Sequence, residues 1–145
     1  FCQFHPPLDA KGKEYRYRIC QEPVQDPTLR LYSWHLPRAL DRTKMEQAAQ
    51  DLIGTKNFSA FANQQEKNPI CTIESILFDG AFHIRGDRFL YKMVRNLVGT
   101  LIDIGSSKLI AECIPSLLAS KDRKKGGVTA PAHGLYLHQV FYELN

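Results

Sequence analysis

The stretch FLYKMVRNLVGTLIDIG, residues 89–105, decides the fold. Leu90, Met93, Val94, Leu97, Val98, Leu101 and Ile102 recur at i, i+3, i+4, i+7, i+8, i+11 and i+12. That spacing predicts an amphipathic helix from about Phe89 to just before Gly105. At roughly 100° per residue, Arg95 falls just beyond one edge of the apolar stripe, on the ridge of Tyr91. A guanidinium in so half-buried a place needs an acceptor or open water. Spacing alone leaves two readings open: a stem that packs while its head snorkels into solvent, or a cation held in place for a task.

Working outward, CTIESILF (71–78) and FHIRG (82–86) flank Asp79-Gly80, the dipeptide of a tight β-hairpin. EYRYRIC (14–20) alternates as a strand, with Tyr15, Tyr17 and Ile19 on one face and Arg16 and Arg18 on the other. QEPVQDP is a loop, and LYSWHL (31–36) is aromatic and ambiguous, an extended segment being one reading. Asp41 caps a helix through Met45, Ala48, Ala49, Leu52 and Ile53, which Gly54 stops. Phe58 and Phe61 suggest a short helical turn. Downstream, a helical stretch over about 108–119 is interrupted or restarted at Pro115. KDRKKGGVTAPAHG (121–134) forms a basic loop. LYLHQVFYEL (135–144) sets Leu135, Leu137, Gln139 and Phe141 against Tyr136, His138, Val140 and Tyr142. Strands and helices interleave, so the expected class is α+β, with two or three helices on one face of a mixed, largely antiparallel sheet. An opposite face edged with Arg and Tyr suits RNA.

A chain of 145 residues fits one domain, and 43% hydrophobic with 23% charged residues is a globular balance. No apolar run reaches the roughly 18 residues of a transmembrane helix, so no membrane partner is expected. The start FCQFHPP carries no Met and no secretory pattern, as expected of a stretch from a longer chain. Cys2, Cys20, Cys71 and Cys113 are too scattered for a zinc site or a disulfide framework, which points to buried or idle thiols in a reducing cytosol. The net charge of +4 is modest, but it is clustered. Lys11, Lys13, Arg16 and Arg18 form one group; Lys121, Arg123, Lys124 and Lys125 form another. Clusters meeting in space would bind phosphates; clusters that never meet would be solvated faces.

KEYRYRI, FLYKMVRNLVGTLIDIG, SKDR and APAHGLYL, in that order, resemble the C-terminal half of a TruA-type tRNA pseudouridine synthase. FHPPLDAKGKEY and LIGTKNFSAF add weaker similarity, so the resemblance runs along nearly the whole chain. It implies a pseudouridine synthase-like fold. It also implies isomerisation of uridines at tRNA positions 38 to 40, in the anticodon stem-loop, without metal or organic cofactor. The family's aspartate, in an RTDAGVHA-like motif, belongs to the N-terminal half, and nothing resembling that motif occurs here. Residues 1–145 are therefore expected to be the C-terminal catalytic and RNA-binding domain of a larger cytoplasmic, homodimeric synthase, inactive alone.

The same resemblance makes Arg95 the counter-ion of that aspartate, Tyr15 the aromatic that contacts the flipped base, and Leu135 part of the uridine pocket floor. Tyr17 is expected in the core, with Phe89 and Met93 packing behind the site. Lys11, Lys13, Arg16, Arg18, Lys121 and Arg123 are candidates for backbone phosphates. Three departures from the family pattern stand out. Pro7 replaces a common arginine, Thr28 an aromatic and Lys92 a frequent histidine. Two other classes stay open: a tRNA-binding module without chemistry, and a dimerisation domain.

Overall fold

The computed structural model describes residues 10–23 and 32–142. Pro7, Thr28 and Cys2 lie outside the described residues.

Strand β1 (Ala10–Cys20) is the centre of the sheet. One edge pairs antiparallel with β5 (Ala81–Gly86), which pairs with β4 (Ile70–Phe78) and then β3 (Gly54–Asn57). The other edge pairs antiparallel with β6 (Leu135–Tyr142) and, past its end, in parallel with the two-residue β2 (Trp34–His35). The class is thus α+β, with a mixed, mostly antiparallel sheet and three α-helices among the described residues. Asp79-Gly80 closes the β4–β5 hairpin as its sequence predicts, with Gly80 at φ +104.

Two register shifts explain where simple alternation fails. Between Ile73 and Ser75 an irregularity in β4 restores phase, so Cys71 and Ile73, then Ile76, all reach the core. In β6, Leu137 opposes Tyr15 but Gln139 opposes Glu14, so His138 is left over. The unbroken alternation expected over 135–144 is therefore corrected: Leu135 and Leu137 share the face of Tyr17 and Tyr15, whereas Phe141 turns to the opposite face, where Arg85 lies 3.6 Å over its ring.

Helix α1 (Arg42–Gln50) starts where Asp41 accepts from the Lys44 amide, at 3.1 Å. It ends earlier than the periodicity predicts. Leu52 is fully buried from the turn that follows, and Gly54, at φ +116, opens β3 rather than closing the helix. Helix α3 (Cys113–Ser120) is shorter than predicted and carries Pro115 in its first turn, where a missing amide hydrogen costs nothing.

Helix α2 (Met93–Gly105) departs most from expectation. It starts at Met93 because Lys92 is left-handed, φ 60 and ψ 13, and cannot belong to a right-handed helix. Leu90 joins the apolar stripe from a tight turn instead, with the Met93 amide donating to its carbonyl at 3.0 Å. Nor is the helix amphipathic in the usual sense: every residue but Arg95 is buried. The apolar stripe packs against α1 and shares one core with the buried face of the sheet, while Asn96, Gly99, Thr100 and Asp103 form a second stripe at i, i+3, i+4 and i+7. The predicted basic loop covers that second stripe as a strap, residues 126–131.

Candidate functional site

Arg95 sits in the first turn of α2, half-buried. Its Nε donates to the Ala130 carbonyl at 2.7 Å, and the Ala130 amide donates back to the Arg95 carbonyl at 3.1 Å. Two contacts thus tie helix and strap at one residue and fix the direction of the side chain. Among the described residues no carboxylate stands within ion-pair distance of this guanidinium. One residue on, the Pro131 carbonyl accepts from the Tyr17 hydroxyl at 2.5 Å. Burial pushes the Tyr17 phenol well above its usual range, opposed in part by the positive charge of Arg95. Tyr17 is fully buried, a core tyrosine as expected.

Leu135 opens β6 directly across from Tyr17 and is half-buried on the same face. Gly134 just before it has a steric reason to be glycine, because a Cβ there would lie 2.7 Å from the Tyr17 ring. Tyr15 lies two residues along β1 from Tyr17, about 7 Å away by strand rise. It is partly exposed, flanked by Ile84 and Leu137, with Phe89 edge-on at 5.1 Å and 88°. Leu137 is 47% exposed. The arrangement is an apolar shelf of Tyr15, Leu135 and Leu137 that closes inward on Tyr17, with a fixed cation near its inner end. An aromatic edge beside a rigid guanidinium can stack a planar base and hold an anion.

The basic candidates scatter. Arg16 donates to Glu14 at 3.0 Å on the sheet face away from the helices, and exposed Arg18 lies 4.9 Å over the Tyr136 ring there. Alternation puts Lys13 on the other face, half-buried. Lys11 lies on β1, with its side chain outside what is described. Lys121 is exposed at the left-handed end of α3, beside a polar groove also lined by Asn63, Gln64, Gln65 and Asp122. Arg123 points inward: its Nη2 donates to Asn96 Oδ1 and to Thr129 Oγ1, both at 2.9 Å. Burial lowers the Arg123 pKa from its ordinary value.

The Ala130 and Pro131 carbonyls, which orient Arg95 and Tyr17, escaped the sequence reading because backbone acceptors leave no residue signature. The polar stripe on α2 was visible in the spacing, as the complement of the apolar one.

Comparison with known proteins adds the lineage. Residues 48–143 match the family described as tRNA pseudouridine synthase. A tRNA pseudouridine synthase A 2 of Protochlamydia amoebophila is 50% identical over 96% of this chain and 57% of its own length. A tRNA pseudouridine synthase A 1 of the same organism is 42% identical over 97% of this chain and 59% of its own. A tRNA pseudouridine synthase A of Bacillus pumilus is 41% identical over 97% and 60%. The chain thus spans less than two thirds of the length of these relatives. With a match over more than half of its residues and an α+β fold to accompany it, this chain belongs to the tRNA pseudouridine synthase family.

Proposed function

We propose that the protein isomerises uridine to pseudouridine in the tRNA anticodon stem-loop, with this chain as the C-terminal domain of the synthase. The observation that carries the proposal is Arg95, aimed by the Ala130 carbonyl and free of any carboxylate among the described residues. In this reading an aspartate from the N-terminal half completes the pair. The arginine keeps it ionised and oriented. The C1′–N1 glycosidic bond breaks, the uracil turns, and C1′ bonds to C5; the C5 proton leaves and N1 takes one up. Tyr15 contacts the extruded base, where aromatic stacking offsets about 1–3 kcal/mol of unstacking. Leu135 lines the floor. Lys11, Lys13 and Lys121 supply phosphate contacts that set register without reading sequence, whereas Arg16 and Arg18, on the opposite sheet face and engaged by Glu14 and the Tyr136 ring, are left out. Arg123, being bonded inward, is left out of that set. The enzyme works as a cytoplasmic homodimer.

The test uses the full-length protein, anticodon stem-loop RNA tritiated at uridine C5, and release of tritium as the readout. Arg95→Ala should lower kcat by about 100-fold or more, the scale of losing one preorganised charge contact. Arg95→Lys should recover little, because an ammonium lacks the fork that uses Nε and Nη together. Salt-dependent tRNA binding without tritium release from the wild type would leave a binding module instead.

A further inference from the structure

The polar stripe of α2 is a costly way to build the centre of a domain, since buried polar groups gain little over apolar packing unless every one is satisfied. Here the central one, Asn96, is satisfied to capacity. Asn96, with no exposed surface, donates through Nδ2 to the Phe61 carbonyl and to Asn63 Oδ1, each at 2.6 Å. Its Oδ1 accepts from Arg123 Nη2 at 2.9 Å and from Thr129 Oγ1 at 2.6 Å. Four bonds are all that an amide side chain can make, so both its ends are committed. Arg123, in turn, is half-buried at the wall of the polar groove beside Lys121 and turns its Nη2 to two neutral partners, with no carboxylate in ion-pair distance among the described residues. A partly desolvated cation without a counter-ion adds little to stability by itself.

Geometry gives the reason. Below the Asn96 node, the strap amides of Gly127 and Val128 donate to Thr100 Oγ1 and Asp103 Oδ2, both at 3.1 Å. Gly99 lets the strap lie so close that a Cβ there would stand 1.7 Å from the Val128 carbonyl oxygen. Thr129 ends this run of contacts, and the next residue is Ala130, whose carbonyl aims Arg95; Pro131 follows, holding Tyr17. A slip of the strap by a fraction of a residue would move both acceptors together.

We propose that Asn96, Arg123 and Thr129 are positioning residues, a hydrogen-bonded lock anchored on buried Asn96 that holds the 126–131 strap in register on α2 so that the Ala130 carbonyl points the Arg95 guanidinium at its target. The proposal rests on the functional reading of Arg95 above, and its test separates the two.

Thr129→Val in the full-length protein is near-isosteric and removes only the hydroxyl; Thr129→Ser keeps the hydroxyl. Thr129→Val should lower kcat about tenfold or more on stem-loop RNA, as misplacement of a catalytic group does. KM should stay within about twofold, since the RNA contacts are left alone. Thr129→Ser should restore kcat. Amide hydrogen exchange at Gly127, Val128 and Ala130 should quicken in the Val variant and return to the wild-type rate in the Ser variant. A Val variant with unchanged kcat, a loss confined to KM, or a Ser variant that fails to recover would overturn the lock. Were the wild type to isomerise nothing, the functional reading would fall alone. The exchange rates would still decide the lock, supporting it if they quicken only in the Val variant and refuting it otherwise.

Discussion

At the scale of single residues, the informative side chains are those whose surroundings change their chemistry. Cys71 is fully buried on β4, and burial pushes its thiol up to about 11 from an ordinary 9.0, against the opposing pull of Arg88. A raised folded-state value means that the unfolded chain loses its proton first as pH rises. The thiol's contribution is therefore intact below pH 9 and drains away between about 9 and 11. Chemical denaturation across that window should show stability falling with a slope of at most about 1.4 kcal/mol per pH unit from this group. Cys71→Ala should flatten that slope; an unchanged slope would assign it to the tyrosines and lysines instead. Tyr17 follows the same sign at higher pH. At neutral pH Tyr17→Phe tests a different quantity: the hydrogen bond to Pro131 should be worth about 1 kcal/mol, with the freed carbonyl adding to the loss. Residue-level chemistry was only half legible in the sequence. The spacing put Arg95 on a shoulder of the helix, but the acceptor it needed is a main-chain oxygen contributed from 35 residues away.

At the scale of elements, what the sequence revealed depended on whether local pattern and tertiary environment agreed. The hairpin at Asp79-Gly80 and the N-cap at Asp41 are local devices, and both stand where the sequence predicts. The start of α2 was misread because Leu90 keeps the helical spacing while its backbone does not: a left-handed Lys92 interposes. The phase of β6 was misread because a bulge is set by its partner strand, not by its own residues. The stripe on α2 gives this scale its own prediction. Gly99→Ala raises helix propensity by about 1 kcal/mol in isolation, yet the new Cβ would meet the Val128 backbone at 1.7 Å. The clash should win. A net loss of about 1–3 kcal/mol, the scale of overpacking, is expected in denaturant titration, with faster exchange of the strap amides. A neutral or stabilising alanine would show that the strap is loosely held.

At the scale of the whole molecule, the open feature is the outer edge of β6. β6 pairs only with β1 among the described residues, so its outer row of amides and carbonyls is available for another strand. Leu137 on that strand is 47% exposed, and Leu77, on the sheet face away from the helices, is 64% exposed. A long, partly apolar edge of this kind is the feature that folded domains ordinarily cover or charge. Expressed by itself, the chain should self-associate, with a sedimentation profile that shifts to larger species as concentration rises. Leu137→Lys should suppress the association, because a charged side chain on the edge strand penalises strand-to-strand pairing without touching the buried core. The full-length protein tells two sources of the stickiness apart. If the N-terminal half covers this edge, Leu137→Lys should leave the full-length assembly state unchanged, while weakening turnover through the shelf beside Tyr15. If the edge is instead the contact between two synthase copies, the same substitution should dissociate the full-length protein. A chain that stays monomeric alone at high concentration would mean that β6 is already protected within these residues, and the edge would carry no assembly role.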